Sequence, residues 1–234
     1  MIDVIQRYWP IVQIMKRLCT RKDCRILEIG SSSYGTARFY EGNIIGLDIQ
    51  FHDETNIAKN LFPIVGSACF LPFRDSAFEV VVSVSMLEHI QSNARSIVIR
   101  EMLRVTKNFI VISVPCGKKS EYCEEKLRRF QSLFFEDLGW LREHEEFGLP
   151  EKGNIIEEIY NSNPNSKIEV FGNVNLTIWL TTMIVQLPFD TLLWKFAPAK
   201  RNELLKVLMK MIGWFMPIFD FGSTYQKIYI IKRV

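Results

Sequence analysis

The chain has little that would tie it to a metal, a nucleic acid or an oxidising compartment. Its 234 residues include five cysteines and three histidines. Cys19, Cys24, Cys69, Cys116 and Cys123 are odd in number and form no C-x-x-C pair. They read as reduced thiols of a cytoplasmic protein, not as a disulfide framework. His52, His89 and His144 lie far apart and show no ligand spacing, so no metal site is expected. The net charge of +3 is small and scattered, which argues against a nucleic-acid face. Lys118-Lys119 and Arg128-Arg129 read as solvated faces. The N-terminus shows no charged-then-apolar leader. There is no internal repeat and no low-complexity tract. One uncharged run, 170–189, has the roughly 20 residues needed to span a bilayer. It also holds Gly172, Asn173, Asn175, Gln186 and Pro188, and so reads as a buried or interfacial helix.

What is present is alternation. Hydrophobic residues make up 48% of the chain, enough for a core that needs no covalent staples. Residues 2–19 have helical spacing, with Ile5, Trp9, Val12 and Met15 on one face. Pro10 interrupts that pattern and is expected to start a second helix. Short apolar runs at 25–30, 44–49, 63–67, 79–86 and 108–114 read as strands covered on both faces. Residues 93–106 form an amphipathic helix among them. This order predicts a doubly wound, mainly parallel sheet. After Pro115 the chain turns charged, aromatic and helical over 120–147, with another helix at 151–161. Residues 168–171 and 225–231 read as two more strands, the last at a sheet edge. The stretch between them, rich in Trp, Met and Phe, reads as a helical insertion.

The candidate site begins where the first strand meets a small-residue loop, Leu27-Glu28-Ile29-Gly30-Ser31-Ser32-Ser33-Tyr34-Gly35. A phosphate-gripping loop needs a lysine after its second glycine, and Thr36 stands there instead. A dinucleotide loop needs Gly-x-Gly, and Ser32 holds the second place. A third template fits better. The segment resembles the first motif of class I S-adenosylmethionine-dependent methyltransferases, in which an acid precedes a loop of small residues. The resemblance continues in order. Ile45-Gly46-Leu47-Asp48-Ile49 is similar to the family's second strand. Gly66-Ser67-Ala68-Cys69-Phe70-Leu71-Pro72-Phe73 is similar to its third-strand stretch, with Ser67 in place of an acid. Phe78-Glu79-Val80-Val81-Val82 and Ser85-Met86-Leu87-Glu88-His89-Ile90 resemble the fourth strand and its close. Arg100-Glu101-Met102-Leu103-Arg104-Val105 resembles the helix that follows.

The resemblance implies a Rossmann-like α/β fold, doubly wound, with a seven-stranded sheet. The sheet would be mainly parallel with an antiparallel last strand and a helical insertion before it. It implies one domain over 1–234: a cofactor core at 20–116, a helical region at 117–166 and a helical cap at 174–222. It also implies S-adenosylmethionine as cofactor and S-adenosylhomocysteine as product. Binding would fall to Glu28, Gly30, Ser31, Ser32, Asp48, Ile49, Ser67, Ala68, Cys69, Ser85 and Met86. Glu28 would satisfy the cofactor's ammonium, directly or through water, and Asp48 both ribose hydroxyls, since two carboxylate oxygens meet two donors. His89, at a strand-to-helix edge, is the candidate base, with His144 and Glu145 behind it. The acceptor reads as a sugar or lipid-linked small molecule, with peripheral membrane contact through 174–221 and Lys195, Lys200, Arg201, Lys206 and Lys210. Two alternatives stand beside this: a non-catalytic relative acting as a partner module, and an NAD-dependent oxidoreductase.

Overall fold

A computed structural model describes residues 2–21, 23–51, 57–134, 138–196 and 218–233. Seven strands form one sheet: β1 (Ile26–Ile29), β2 (Ile44–Asp48), β3 (Leu61–Val65), β4 (Phe78–Val84), β5 (Thr106–Pro115), β6 (Lys167–Asn175) and β7 (Thr224–Lys232). Their order is β3-β2-β1-β4-β5-β7-β6. The first five pair in parallel. β7 runs antiparallel to both β5 and β6. The helices are α1 (Ile2–Leu18), α2 (Arg95–Val105), α3 (Lys118–Phe134), α4 (Gly139–Phe147), α5 (Lys152–Ser162) and α6 (Leu176–Phe196). The doubly wound sheet expected from the sequence is therefore present, antiparallel last strand included. β3 is an edge strand, which is where a strand tolerates Pro63.

Alternation along the strands sorts side chains to two faces. Ile26, Val80, Val82, Val84 and Val111 meet Ile11, Ile14 and Met15 of α1. Leu27, Ile29, Val81, Ile110 and Ile112 meet α2 and α5 through Val98, Met102, Ile155 and Ile159. A third cluster joins α3, α4 and α6 above the sheet end, around Leu127, Leu141, Trp179 and Tyr225.

Three expectations are corrected. The last strand, expected at a sheet edge, lies between β5 and β6, and β6 takes the edge. Pro10 does not divide the first helix, which runs unbroken from Ile2 to Leu18 with Pro10 inside it. Proline has no N–H and leaves the carbonyl four residues earlier without its helical partner. That carbonyl belongs to Gln6, and Asn173 Nδ2 of β6 donates to it at 3.0 Å. A side chain from a strand 167 residues away thus takes the place of the missing helix bond. The cysteines are also not all thiols: Cys19 and Cys24 form a disulfide between the end of α1 and the start of β1. The short turn there brings their Cα atoms to 5.6 Å, within bridging range. Cys69, Cys116 and Cys123 are free.

The uncharged run at 170–189 is divided between β6 and α6. No helix among the described residues is long and apolar enough to cross a membrane. Lys200, Arg201, Lys206, Lys210 and the Lys195 side chain lie outside the described residues.

Candidate functional site

Parallel strands leave unpaired backbone at their carboxyl ends, and a doubly wound sheet opens a crevice there. A cavity of about 260 Å³ occupies that place. Gly30 and Asp48 follow β1 and close β2. Gly66, Ser67, Ala68 and Cys69 follow β3, and Ser85 and Met86 follow β4. Ile29, Leu47, Ile49, His89 and Ile90 complete the wall.

The loop after β1 is shaped by left-handed residues: Gly30 at φ 75°, Ser32 at 49° and Gly35 at 45°. A Cβ on Gly30 would sit 2.5 Å from Met86 Cγ, so this position has no room for a side chain. The bare backbone it leaves faces the cavity. Asp48 is fixed from two sides. Ile49 N–H donates to Oδ1 at 2.7 Å, and Ser32 N–H donates to Oδ2 at 2.8 Å. Each carboxylate oxygen keeps a second lone pair, so the group is held yet still able to accept. Ser67 Oγ accepts the Cys69 N–H at 3.2 Å, which leaves its O–H proton free to donate into the cavity.

Glu28 takes a different place from the one its motif suggests. It is completely buried and lies behind the loop, off the cavity wall. Thr36 N–H and Oγ1–H donate to its carboxyl at 2.7–3.0 Å. Burial raises its pKa to about 8, against the opposite pull of the Thr36 donors. Glu28 therefore holds the loop in shape. Ser31 is also buried, its Oγ donating to the Ser32 carbonyl, and Ser32 reaches the site only through its N–H to Asp48. The other eight expected binding residues line one cavity.

A second cavity, of about 250 Å³, shares Ser85 and His89 with the first. Its wall draws on distant parts of the chain: Asp3 and Arg7 of α1, Glu88, Trp140 and His144 of α4, Trp179 of α6, and Tyr225 and Gln226 of β7. Ser85, at φ 51°, sits between the two cavities. Gln226 Nε2 donates to Ser85 Oγ at 2.9 Å, and Gln226 Oε1 accepts from Asn173.

The two histidines that are far apart in sequence meet here. His89 Nε2 lies 3.4 Å from His144 Nε2. His144 Nδ1 bonds to Glu124 Oε1 of α3 at 2.8 Å, and Tyr225 O–H donates to the same oxygen. His89 Nδ1 bonds to Glu143 Oε2 at 2.6 Å. Burial, and then the neighbouring His144, lower the His89 pKa. Burial lifts Glu88 to about 7, while His144 and Arg7 pull it back down. Glu145 pairs with Arg128 at 2.9 Å and is not on the cavity wall. Cys116 is buried with its Sγ 3.6 Å from Tyr229 Oη, also off the wall. Sequence reading missed Glu88, Glu124, Tyr225, Arg7 and Trp140. Glu88 lies inside the Leu87-Glu88-His89 segment without standing out there, and no local motif marks the other four, because separate elements bring them together.

Residues 27–109 match the model of the family described as "Methyltransferase domain". No curated protein matches the chain. Among solved structures it is similar to phosphoethanolamine N-methyltransferase 2 of Haemonchus contortus, in complex with phosphomonomethylethanolamine and S-adenosylhomocysteine. That pair shares 18% identity with a TM-score of 0.56, over 96% of this chain and 52% of that one. The chain thus spans about half the length of that enzyme. It is also similar to magnesium protoporphyrin IX methyltransferase of Synechocystis PCC 6803 with bound S-adenosylhomocysteine. There the values are 9% identity and a TM-score of 0.57, over 100% of this chain and 84% of that one. A third likeness is to an S-adenosylmethionine-dependent methyltransferase of Thermotoga maritima, at 13% identity and a TM-score of 0.56, over 99% of this chain and 92% of that one. At these identities the likeness is one of fold.

Proposed function

We propose, from the premise that this chain belongs to the class I S-adenosylmethionine-dependent methyltransferases, that it transfers a methyl group to a small molecule seated in the second cavity. The observation that carries this reading is the pair of cavities meeting at Ser85 and His89. A donor in one and an acceptor in the other would react across that shared wall.

The first cavity fits the cofactor group by group. Asp48 is oriented to accept from both ribose hydroxyls, each oxygen having a lone pair left. Ile49, Ala68, Cys69, Met86 and Ile90 give apolar faces for a purine, and the Ser67 hydroxyl can donate to a ring nitrogen where the family has an acid. Gly30 lets the amino-acid end lie against bare backbone. Glu28 contributes through the loop it holds, without touching the ligand. When bound, S-adenosylmethionine supplies an electrophilic methyl on a sulfonium. The protein's task is then to align a nucleophile at about 3–3.5 Å and to exclude water.

The second cavity suits a polar acceptor of sugar type. Trp140 and Trp179 offer flat apolar faces, with Trp179 stacked on Tyr225 at 3.6 Å. Asp3, Arg7, Glu88 and Gln226 offer hydrogen-bonding groups around them. His89 stands at the junction, positioned to take a proton from a hydroxyl acceptor.

Titration calorimetry with S-adenosylmethionine, S-adenosylhomocysteine and NAD tests the cofactor half. Micromolar binding of the first two, absent for NAD and lost in Asp48→Ala, is expected. A sugar screen with radiolabelled methyl donor then tests the acceptor half. Binding without transfer to any acceptor would favour a partner module over an enzyme.

A further inference from the structure

Glu88, His89 and His144 offer one donor atom each, all within 4.8 Å of one another. The directions of those atoms matter more than their proximity. Both imidazoles bond through Nδ1 to a carboxylate, His144 to Glu124 and His89 to Glu143. A carboxylate accepts, so each Nδ1 can donate its ring proton outward, and in that neutral tautomer each Nε2 offers a lone pair to an ion. The two Nε2 atoms stand 3.4 Å apart, a gap that a ring proton or a single ion held by both can fill. Beside them Glu88 is 1% exposed, and its Oε2 is buried without a hydrogen-bond partner. The nearby guanidinium of Arg7 bonds to Asp3. Three potential donor atoms thus converge at the rim of the second cavity, one of them a buried carboxylate oxygen that lacks a partner, which suits a bound cation.

We propose that Glu88 Oε2, His89 Nε2 and His144 Nε2 bind a divalent first-row transition ion. Two imidazoles and a carboxylate form the donor set of many zinc and non-haem iron centres, and imidazole nitrogen disfavours magnesium and calcium. Around a tetrahedral ion with bonds of about 2.1 Å, donors stand about 3.4 Å apart. The histidine pair already has that spacing, and Glu88 needs only a small side-chain movement to complete it. The outer layer is built as well. Carboxylates on Nδ1 fix ring orientation and tautomer at metal sites, and here Glu124 is itself held by Tyr225. With three protein donors, further coordination positions remain open toward the second cavity, which all three residues line. On the methyltransferase reading, an oxygen of the acceptor would occupy one of them, and the ion, by lowering the pKa of that hydroxyl, would replace the His89 lone pair it takes up as the means of activating it.

The test uses the full chain, stripped with chelator and titrated with Zn²⁺ alone by calorimetry, and with Co²⁺ alone followed by visible absorption. One ion per chain at micromolar affinity or tighter is expected. At least tenfold weakening is expected in both Glu88→Gln and His144→Ala, with the Co²⁺ absorption lost. Unchanged affinity in folded Glu88→Gln and His144→Ala would put the ion elsewhere and overturn the proposal, as would absence of binding to the parent chain. Should His144→Ala fail to fold by circular dichroism, His89→Ala, at a partly exposed position, replaces it with the same expected tenfold loss. S-adenosylhomocysteine titrated into the same stripped samples reports separately on the cofactor cavity. A chain that binds S-adenosylhomocysteine but no metal refutes the ion and leaves the methyltransferase reading standing.

Discussion

The two cavities are built by opposite means. The first is made where strands end. Its wall comes from loops after β1 to β4, and much of its chemistry is backbone: a bare Gly30, the N–H groups of Ser32 and Ile49, the turn at Ser67. The second is made of side chains from α1, α4, α6, β7 and the turn after β4, spread from Asp3 to Gln226. A site formed by strand ends is fixed by the sheet. A site formed by covering helices is fixed only by packing and side-chain bonds. The first should therefore resist change in the helices, and the second should be open to it.

The largest effect expected is in the first cavity. Gly30→Ala puts a Cβ 2.5 Å from Met86 Cγ in a left-handed conformation. Overpacking and strain together cost about 2–5 kcal/mol. Cofactor affinity should fall at least roughly 30-fold in calorimetry, and normal affinity would refute the assignment of that cavity. Next in size is Asp48→Asn, which weakens charge-assisted bonds by about 1.5–3 kcal/mol, or roughly 10–150-fold in affinity. The comparison breaks if His144→Ala weakens S-adenosylhomocysteine binding as much as Asp48→Asn does. It is sharpened if His144→Ala stays within twofold of the parent while methyl transfer drops.

A third test concerns stability. The Glu28 carboxyl is raised from 4.5 to about 8 by burial, so the folded state holds its proton more tightly than the unfolded chain does. Its stabilising effect is complete below about pH 4.5 and is lost as pH rises through about 8, with an upper bound of about 4–5 kcal/mol. Denaturant midpoints should fall over that window, and Glu28→Gln should flatten the slope. A parent with the same slope as Glu28→Gln would contradict this. Smallest of all is the Arg25–Glu79 pair at 2.9 Å, which is partly exposed. Arg25→Ala should cost no more than about 1 kcal/mol in urea melts and leave both cavities as they are.

The same contrast explains what could be read from the sequence. Strand ends are contiguous: Glu28 to Gly35, Ile45 to Ile49 and Gly66 to Phe73 each carry their own signal, and so the mainly parallel sheet and the first cavity were legible, whereas the place of β7 between β5 and β6 was not. Even there the role of Glu28 was not, because an acid before a glycine reads alike whether it faces a ligand or caps Thr36. The second cavity had no contiguous signal. His89 and His144 are 55 residues apart, and only the seating of α4 against the turn after β4 makes them neighbours. The disulfide was hidden for a related reason. An odd cysteine count argues against a framework of bridges, but not against one local pair five positions apart.

The bond from Asn173 to the Gln6 carbonyl also sets an order of events during synthesis. The first helix leaves the ribosome early, with a carbonyl that its own proline has left unsatisfied. The residue that satisfies it is made 167 positions later. At 5–20 residues per second that is a delay of roughly 8–33 s. Ile5, Ile11 and Met15 must be shielded or kept from aggregating for part of that time. The first helix is thus among the later of the described elements to reach its final seat, and the wall that Asp3 and Arg7 give the second cavity is completed only after β6 has been made.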